Sequence, residues 1–297
     1  MINTDILKDA AKSVHYDEPG IPVSISRHIL SEYPGMRTLL HWHEDVEWVL
    51  VLEGSMNYYI NGRSVILEQN DILMVRPDAI HYEYARKNED CLYTCVLFDP
   101  KLLKSNEMIY TEYIEPVLNH DGVPYIHINV RDREYGRILD IIKQIIQDRE
   151  NAIRKKAAPD YLKLMSGLYE LMNLTGKVCD RSDDMVLPED ISGDDMNVQK
   201  HMITYIQEYY PASLTLDDIA MSAGISVSTC CRIFKKYLNQ SPVDYLNAFR
   251  FETAKYLLET TTYPVNEIAS SCGFKHMSYF SKEFRLRYNK TPKEVRI

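Results

Sequence analysis

Apolar residues in this chain follow two rhythms, and the change from one to the other divides it. Between residues 21 and 99 they fall in short runs: 22–30, 46–52, 56–60, 64–67, 72–75 and 91–98. β-Branched and aromatic side chains dominate these runs. Turn signals separate them, at Pro34-Gly35, Glu53-Gly54, Asn61-Gly62, Asn70-Asp71 and Pro77-Asp78. Many short strands at even spacing predict a small barrel or sandwich, and Asn61-Gly62 is the strongest hairpin signal. Beyond about residue 100 the spacing changes to three and four. Ile138, Ile141, Ile142, Ile145 and Ile146 mark one helix within 131–150, and Tyr161, Leu164, Met165, Leu168, Leu171 and Met172 mark a second after Pro159. Each apolar stripe must be covered, most simply by the barrel.

The last hundred residues contain one pattern twice. Residues 214–242 read LTLDDIAMSAGISVSTCCRIFKKYLNQSP, and residues 263–292 read YPVNEIASSCGFKHMSYFSKEFRLRYNKTP. Ile219-Ala220 matches Ile268-Ala269, Gly224 matches Gly273, Phe234 matches Phe284, Asn239 matches Asn289 and Pro242 matches Pro292. A repeat of this period is two copies of one supersecondary unit. Each copy has a short helix, a glycine for a left-handed turn and a second helix, which is the layout of a helix-turn-helix. Ser226 is placed to cap the second helix of the first copy. The buried stripe of that helix is Ile233, Phe234 and Tyr237, and in the second copy Phe280, Phe284 and Tyr288. Its other face is basic: Arg232, Lys235 and Lys236, then Lys282, Arg285 and Arg287. A helix opened by Ser241-Pro242 joins the two copies, and a further helix is expected over 198–209.

Charge sharpens the division. Of 297 residues, those from 197 onward hold 13 Lys and Arg against 9 Asp and Glu, while the rest hold 21 against 34. An acidic front and a basic back fit a tail that meets phosphate. Residues 1–20 form a polar arm with a short helix, ended by Pro19-Gly20-Ile21-Pro22. Residues 181–196 are acidic and turn-rich and read as an exposed linker. Six cysteines show no metal-binding spacing, so reduced thiols are expected. The start lacks a secretory signal and no apolar run approaches a membrane span, which predicts a cytoplasmic chain without membrane contact.

One further constellation lies in the strand-rich region. Gly35, His41, His43, Glu47 and Gly54 are spaced G-x5-H-x-H-x3-E-x6-G, and His81 follows. On an unbroken strand 41, 43 and 47 share a face. Converging histidines and a carboxylate suit a divalent metal such as Zn, Mn, Fe or Ni. They also suit the lining of an effector pocket, or histidines that only make structural hydrogen bonds. Arg37 shares parity with His41, and Tyr58, Tyr82 and Trp48 are amphipathic rings nearby. Tyrosine is abundant, 22 in all, and rings with hydroxyl tips suit sugars, although an aromatic on a barrel strand is more often core.

Two resemblances follow from these residues. The G-x5-H-x-H-x3-E-x6-G run resembles the first cupin motif, while the second motif departs from it with Asn70 and Ala79 in place of glycine. The C-terminal pattern DIA-x3-G-x-S-x5-R-x-FK, N-x-SP-x2-YL, EIA-x3-GF-x4-YFS-x2-F-x4-N-x-TP resembles the DNA-binding domain of the AraC/XylS family. Asn239 and Asn289 replace the usual glycine, and Phe251 follows Arg250 where a leucine-like residue is common. Asparagine also ends helices in the left-handed conformation.

The resemblance implies a multidomain α and β fold: a cupin-like barrel over 21–110, a helical dimerisation segment over 111–180, and an all-α tandem helix-turn-helix domain over 197–297. It implies a homodimeric transcription regulator of double-stranded DNA, controlled by a small effector, with RNA polymerase as a partner of an activator. Regulators with this domain pairing often keep the two-histidine pattern without catalysis. By position in the family pattern, Ser228, Thr229, Cys231 and Arg232 meet bases in the first copy, and His276, Met277, Ser278 and Lys282 in the second. Arg232 is the leading guanine reader, and Lys235, Lys236, Arg285 and Arg287 meet phosphate. The expected effector site is Arg37, His41, His43, Glu47, Tyr58 and His81, with a sugar as ligand and no cofactor required. The rival reading is a metal-dependent cupin enzyme, an isomerase or dioxygenase, or a metal sensor, using His41, His43, Glu47 and His81. A third reading is an effector-independent regulator whose front domain only dimerises.

Overall fold

The computed structural model describes residues 2–11, 14–18, 20–119, 123–179 and 193–296. The chain forms two compact units, and neither is contiguous. A helical unit gathers Met1–Ser13, Glu32–His41 and Asp190–Ile297, and a sheet unit gathers Val14–Ser31 and Trp42–Glu189. Residues 32–41, expected within the barrel, therefore belong with the helices and are called the strap below.

Helix α1 (Thr4–Ala10) opens the helical unit, capped by Asn3. The sheet unit contains β1 (Val23–Ile29), β2 (Val46–Ile60), β3 (Arg63–Glu68), β4 (Ile72–Val75), β5 (His81–Ala85), β6 (Cys91–Phe98) and β7 (Tyr125–Ile128). All pairings are antiparallel, in the order β1-β6-β2-β4-β7, and β3 and β5 flank the far half of β2. β2 thus runs through both halves of the sheet as one strand of 15 residues. The sequence predicted two runs there, parted by a turn at Glu53-Gly54. The register with β6 instead shifts between Val51 and Glu53, which makes this a bulge. Gly54 sits at φ +82°, and any Cβ there would run into the Asp90 carbonyl oxygen. Two strands were not anticipated, β5 and β7, the latter inside the segment expected to be helical.

Short helices α2 (Glu107–Ile109) and α3 (Glu115–Leu118) lead by way of β7 to α4 (Tyr135–Lys155) and α5 (Tyr161–Cys179). Their stripes meet one face of the sheet in a single core. Val46, Trp48, Leu50, Ile72, Met74, Val96 and Phe98 contribute from the strands, and Ile138, Ile142, Ile145, Leu168, Leu171 and Met172 from the helices. Each such side chain contributes roughly 1.5–3 kcal/mol by leaving water. Trp48, expected near the effector, is fully buried in this core and stacks on Phe98 with centroids 5.6 Å apart.

The helical unit continues with α6 (Gly193–Tyr209), α7 (Leu216–Ser222), α8 (Val227–Leu238), α9 (Pro242–Thr260), α10 (Val265–Ser271), α11 (Met277–Tyr288) and α12 (Pro292–Val295). α6 begins well before the expected residue 198, so residues 193–196 are helix and not linker. The remainder of the expected linker, 181–192, lies outside the described residues, as does Pro19. Gly224 and Gly273 make the two turns at φ +66° and +87°, and Asn239 and Asn289 end α8 and α11 in the left-handed region at φ 50° and 54°. Phe234, Ile233, Phe280 and Phe284 are buried as their spacing predicts. Phe251 packs against Phe274 and Phe280 at centroid distances of 4.5 and 5.7 Å, which accounts for an aromatic after Arg250. No described helix is long and apolar enough to cross a membrane.

Candidate functional site

Within the sheet unit, alternation along two strands carries polar side chains into the interior. β2 starts at Val46, so His43 precedes the strand and its Nδ1 faces the Asp45 carbonyl at 3.1 Å. The expected shared strand face for 41, 43 and 47 is therefore not how these residues are arranged. Glu47 points inward from β2, and His81 and Glu83 point inward from β5, all three buried. His43 Nε2 lies 3.5 Å and His81 Nε2 3.3 Å from the same oxygen, Glu47 Oε2. Tyr58, from the far half of β2, stacks on the His81 ring at 5.8 Å and 15°. Its hydroxyl is buried and has no hydrogen-bond partner among the described residues.

Electrostatics tie the cluster together. Burial alone would lift the Glu47 carboxyl, but His43 and His81 more than offset it and hold it well below the usual carboxylate range. Burial opposes charge on His81 too, yet Glu47 and then Glu83 raise its pKa. The Tyr58 hydroxyl is pushed well above its ordinary value by burial and then by the neighbouring Glu47 charge. Glu83 is the residue that sequence reasoning missed. Its position two residues beyond His81 on a strand was the available signal.

Tyr82 does not join this cluster. It faces the opposite side of β5, where it stacks on Tyr59 at 4.7 Å and meets Tyr84 at a tilt at 5.5 Å. Arg37 and His41 belong to the strap in the helical unit. His41 Nδ1 faces the Leu39 carbonyl at 2.9 Å, and Arg37 donates from Nη1 to the Leu238 carbonyl at 2.6 Å. A separate cleft of about 280 Å³ opens between β1, α4 and α5. Its floor is apolar, with Val23, Ile25, Ile141, Ile145 and Leu164, and its rim charges pair as Arg149–Asp17, Lys163–Asp148 and Arg137–Glu170.

In the helical unit the DNA-reading candidates form two exposed helix starts. Ser226 caps α8 by accepting from the Thr229 backbone N–H at 3.2 Å, and its hydroxyl lies 3.0 Å from those of Ser228 and Thr229. Cys230 is buried, whereas Ser228 and Arg232 are exposed and Cys231 is half-buried. His276 precedes α11, where Met277, Ser278, Lys282 and Arg285 are exposed. Arg287 differs from expectation: its guanidinium lies over the Phe251 ring at 5.0 Å. Asp195, from the segment expected to be linker, faces α8. Arg232 Nη2 lies 3.6 Å from its carboxylate, Lys236 Nζ lies 3.4 Å away, and the Tyr237 hydroxyl donates to it at 2.9 Å. Burial raises the Asp195 pKa, but Tyr237, Lys236 and then Arg232 outweigh it and lower the value. A phosphate or guanine approaching Arg232 would exchange one anionic or acceptor partner for another.

Comparison with known proteins places both regions. The AraC-like ligand binding domain matches residues 26–172, and a helix-turn-helix domain matches residues 219–297. An uncharacterised HTH-type transcriptional regulator, YdeC of Bacillus subtilis, is 26% identical over 275 residues, covering 92% of this chain and 90% of that protein. The HTH-type transcriptional activator RhaS of an Enterobacter species is 23% identical over 260 residues, covering 86% of each. Among solved structures, ToxT of Vibrio cholerae is similar at 13% identity and a TM-score of 0.48, covering 92% of this chain and 96% of that one.

Proposed function

Since the chain belongs to the AraC family of transcription regulators and carries its ligand-binding domain ahead of its helix-turn-helix domain, we propose that a small polar metabolite, a sugar or similar polyol, is its effector. The observation that carries this reading is the Tyr58 hydroxyl, buried without a hydrogen-bond partner beside Glu47, His43 and His81. A buried hydroxyl demands a partner, and a polyol offers both donors to the Glu47 carboxylate and an acceptor to Tyr58. Binding switches transcription only if the ligand prefers one arrangement of the protein over another.

On the DNA side, Arg232 reads a base from α8, helped by Ser228, Thr229 and Cys231. His276, Met277, Ser278 and Lys282 serve the same role from α11, and Lys235, Lys236 and Arg285 hold phosphate. Two such helices enter successive major grooves about 34 Å apart. The protein works as a homodimer through its α4–α5 segment, and it contacts RNA polymerase where, like the relatives named as activators, it activates.

A divalent metal is the second reading, favoured by the convergence of two imidazole Nε2 atoms on one carboxylate oxygen. Donors bonded to one ion at about 2.0–2.2 Å sit roughly 3–3.5 Å apart, and the observed 3.3 and 3.5 Å fit that spacing. His41, His43, Glu47 and His81 would hold the ion, which would supply Lewis acidity or a coordination site for the effector. The curated relatives are described as regulators rather than as enzymes of this kind.

A thermal-shift series on the full chain with sugars, divalent metals and a chelator separates the readings. A sugar at a hundred times its Kd adds about 2.7 kcal/mol, and Tyr58→Phe should abolish that shift. If no sugar acts and the chelator alone lowers the melting point, the polyol reading fails and the metal reading replaces it.

A further inference from the structure

The strap places a side chain from early in the sequence on the first recognition helix. A helix leaves its last carbonyls without intrahelical partners, and a cation near that end is favourable. In α8 the chain turns left-handed at Asn239, whose N–H bonds to the Lys235 carbonyl. The carbonyl of Leu238, the last helical residue, is taken by Arg37 Nη1 at 2.6 Å, from a residue 201 positions earlier. Three positions along the strap, Leu40 is fully buried, and its carbonyl accepts at 2.8 Å from the hydroxyl of Tyr245, itself fully buried in the first turn of α9. The strap therefore grips both sides of the α8–α9 junction, one bond on each helix.

We propose that Arg37 is a positioning residue for DNA reading: by holding the C-terminal end of α8 it sets the pose in which Ser228, Thr229 and Arg232 face the groove. α6, α7 and α9 pack on α8, and Asp195 of α6 accepts from the Tyr237 hydroxyl, yet the last carbonyl of α8 would still be unheld without the strap. The Arg37 bond adds a hold at the end itself, on the backbone rather than on a side chain. The charge-assisted bond from Arg37 and the bond from Tyr245 act together, since both depend on the strap keeping its course. That course continues without a break into Trp42 and His43, so the candidate effector cluster and the α8 anchor share one stretch of backbone. The inference rests on the reading of α8 as a recognition helix.

The test selects duplexes from a random DNA library with the full chain and its variants. Arg232→Ala marks which half-site α8 reads, as the half whose base preference it changes. Arg37→Gln should weaken preference in that half about tenfold, the worth of one charge-assisted hydrogen bond, and leave the half read by α11 unchanged. Arg37→Lys, which keeps a donor and the charge, should restore it. Should Arg37→Gln fail to fold, Tyr245→Phe decides, because it removes only the hydroxyl that holds Leu40 and should show the same one-sided loss. Unchanged selection in Arg37→Gln, or equal loss in both halves, overturns the inference, as does unchanged selection in Tyr245→Phe. A wild-type chain that selects no duplex overturns instead the reading of the helical unit as a DNA reader.

Discussion

Glu252 lies half-buried on α9, where burial pushes its carboxyl up to about 7, with Lys255 and then Arg287 pulling the other way. Folding thus favours its protonated form. Between the ordinary glutamate range near 4.5 and about 7, the folded chain binds more protons at this site than the unfolded chain. The contribution to stability is therefore present at low pH and is lost as pH rises through that window. Glu252→Gln should remove the slope and stabilise the protein above pH 7, by an amount on the order of 1–3 kcal/mol. Urea unfolding of both proteins at pH 5 and pH 8 measures it, and parallel behaviour at the two pH values would count against the assignment. The sequence around Glu252 shows Lys255 but not the burial that dominates, because that burial is made by packing between helices. His43, Glu47 and His81 were legible as types at a spacing. Their geometry was not, since parity on a strand assumed β2 began five residues before it does.

Helix ends in the helical unit are built to a common plan that varies between the two copies. Thr215 with Asp218, Ser241 with Asp244 and Thr291 with Glu294 are reciprocal capping boxes at the starts of α7, α9 and α12, whereas α10 and α11 begin without a side-chain cap. The joining helix carries its box at the junction that the strap also grips. Ser241→Ala removes the acceptor for the Asp244 N–H and should cost about 1 kcal/mol, read as a lowered urea midpoint at unchanged slope. An unaltered midpoint would show that Pro242 and packing alone set the start of α9. Helices were the legible elements, because their stripes at three and four must be covered wherever the chain goes. Strands were less so. β5 turns His81 and Glu83 inward and buries Tyr82 on its other face as well, so polar residues are buried and no alternation shows. β7 is four residues long, too short for a period to show. The Glu53-Gly54 bulge uses the same residues as a turn, and only pairing with β6 distinguishes them.

At the scale of the whole molecule, the acidic front and basic back were visible in composition, and the doubled helix-turn-helix in the repeat. The discontinuity of the helical unit was not, because the contacts of the strap are made with residues some 200 positions away, and no local pattern encodes a partner at that distance. A fragment beginning at residue 190 would resemble a complete domain by sequence, yet it lacks Leu40, Arg37 and α1. Its Tyr245 hydroxyl and Leu238 carbonyl would lose their partners. It should melt below the corresponding transition of the full chain, by several degrees for each kcal/mol lost. Adding a peptide of residues 32–41 in excess should recover part of the difference. Calorimetry with and without the peptide checks this, and a fragment as stable as the full chain would show the strap to be dispensable for folding.

The strap also has a consequence for the order in which the protein can be made. A ribosome delivers residues at about 5–20 per second, and Leu40 precedes Tyr245 by 205 positions. The strap therefore waits roughly 10–40 s for the helices it will hold, while the chain on both sides of it belongs to the unit that can fold first. A nascent regulator would have its ligand-binding domain in place before the anchor of α8 can close, so a ligand present during synthesis meets a chain whose helix-turn-helix half is still being translated.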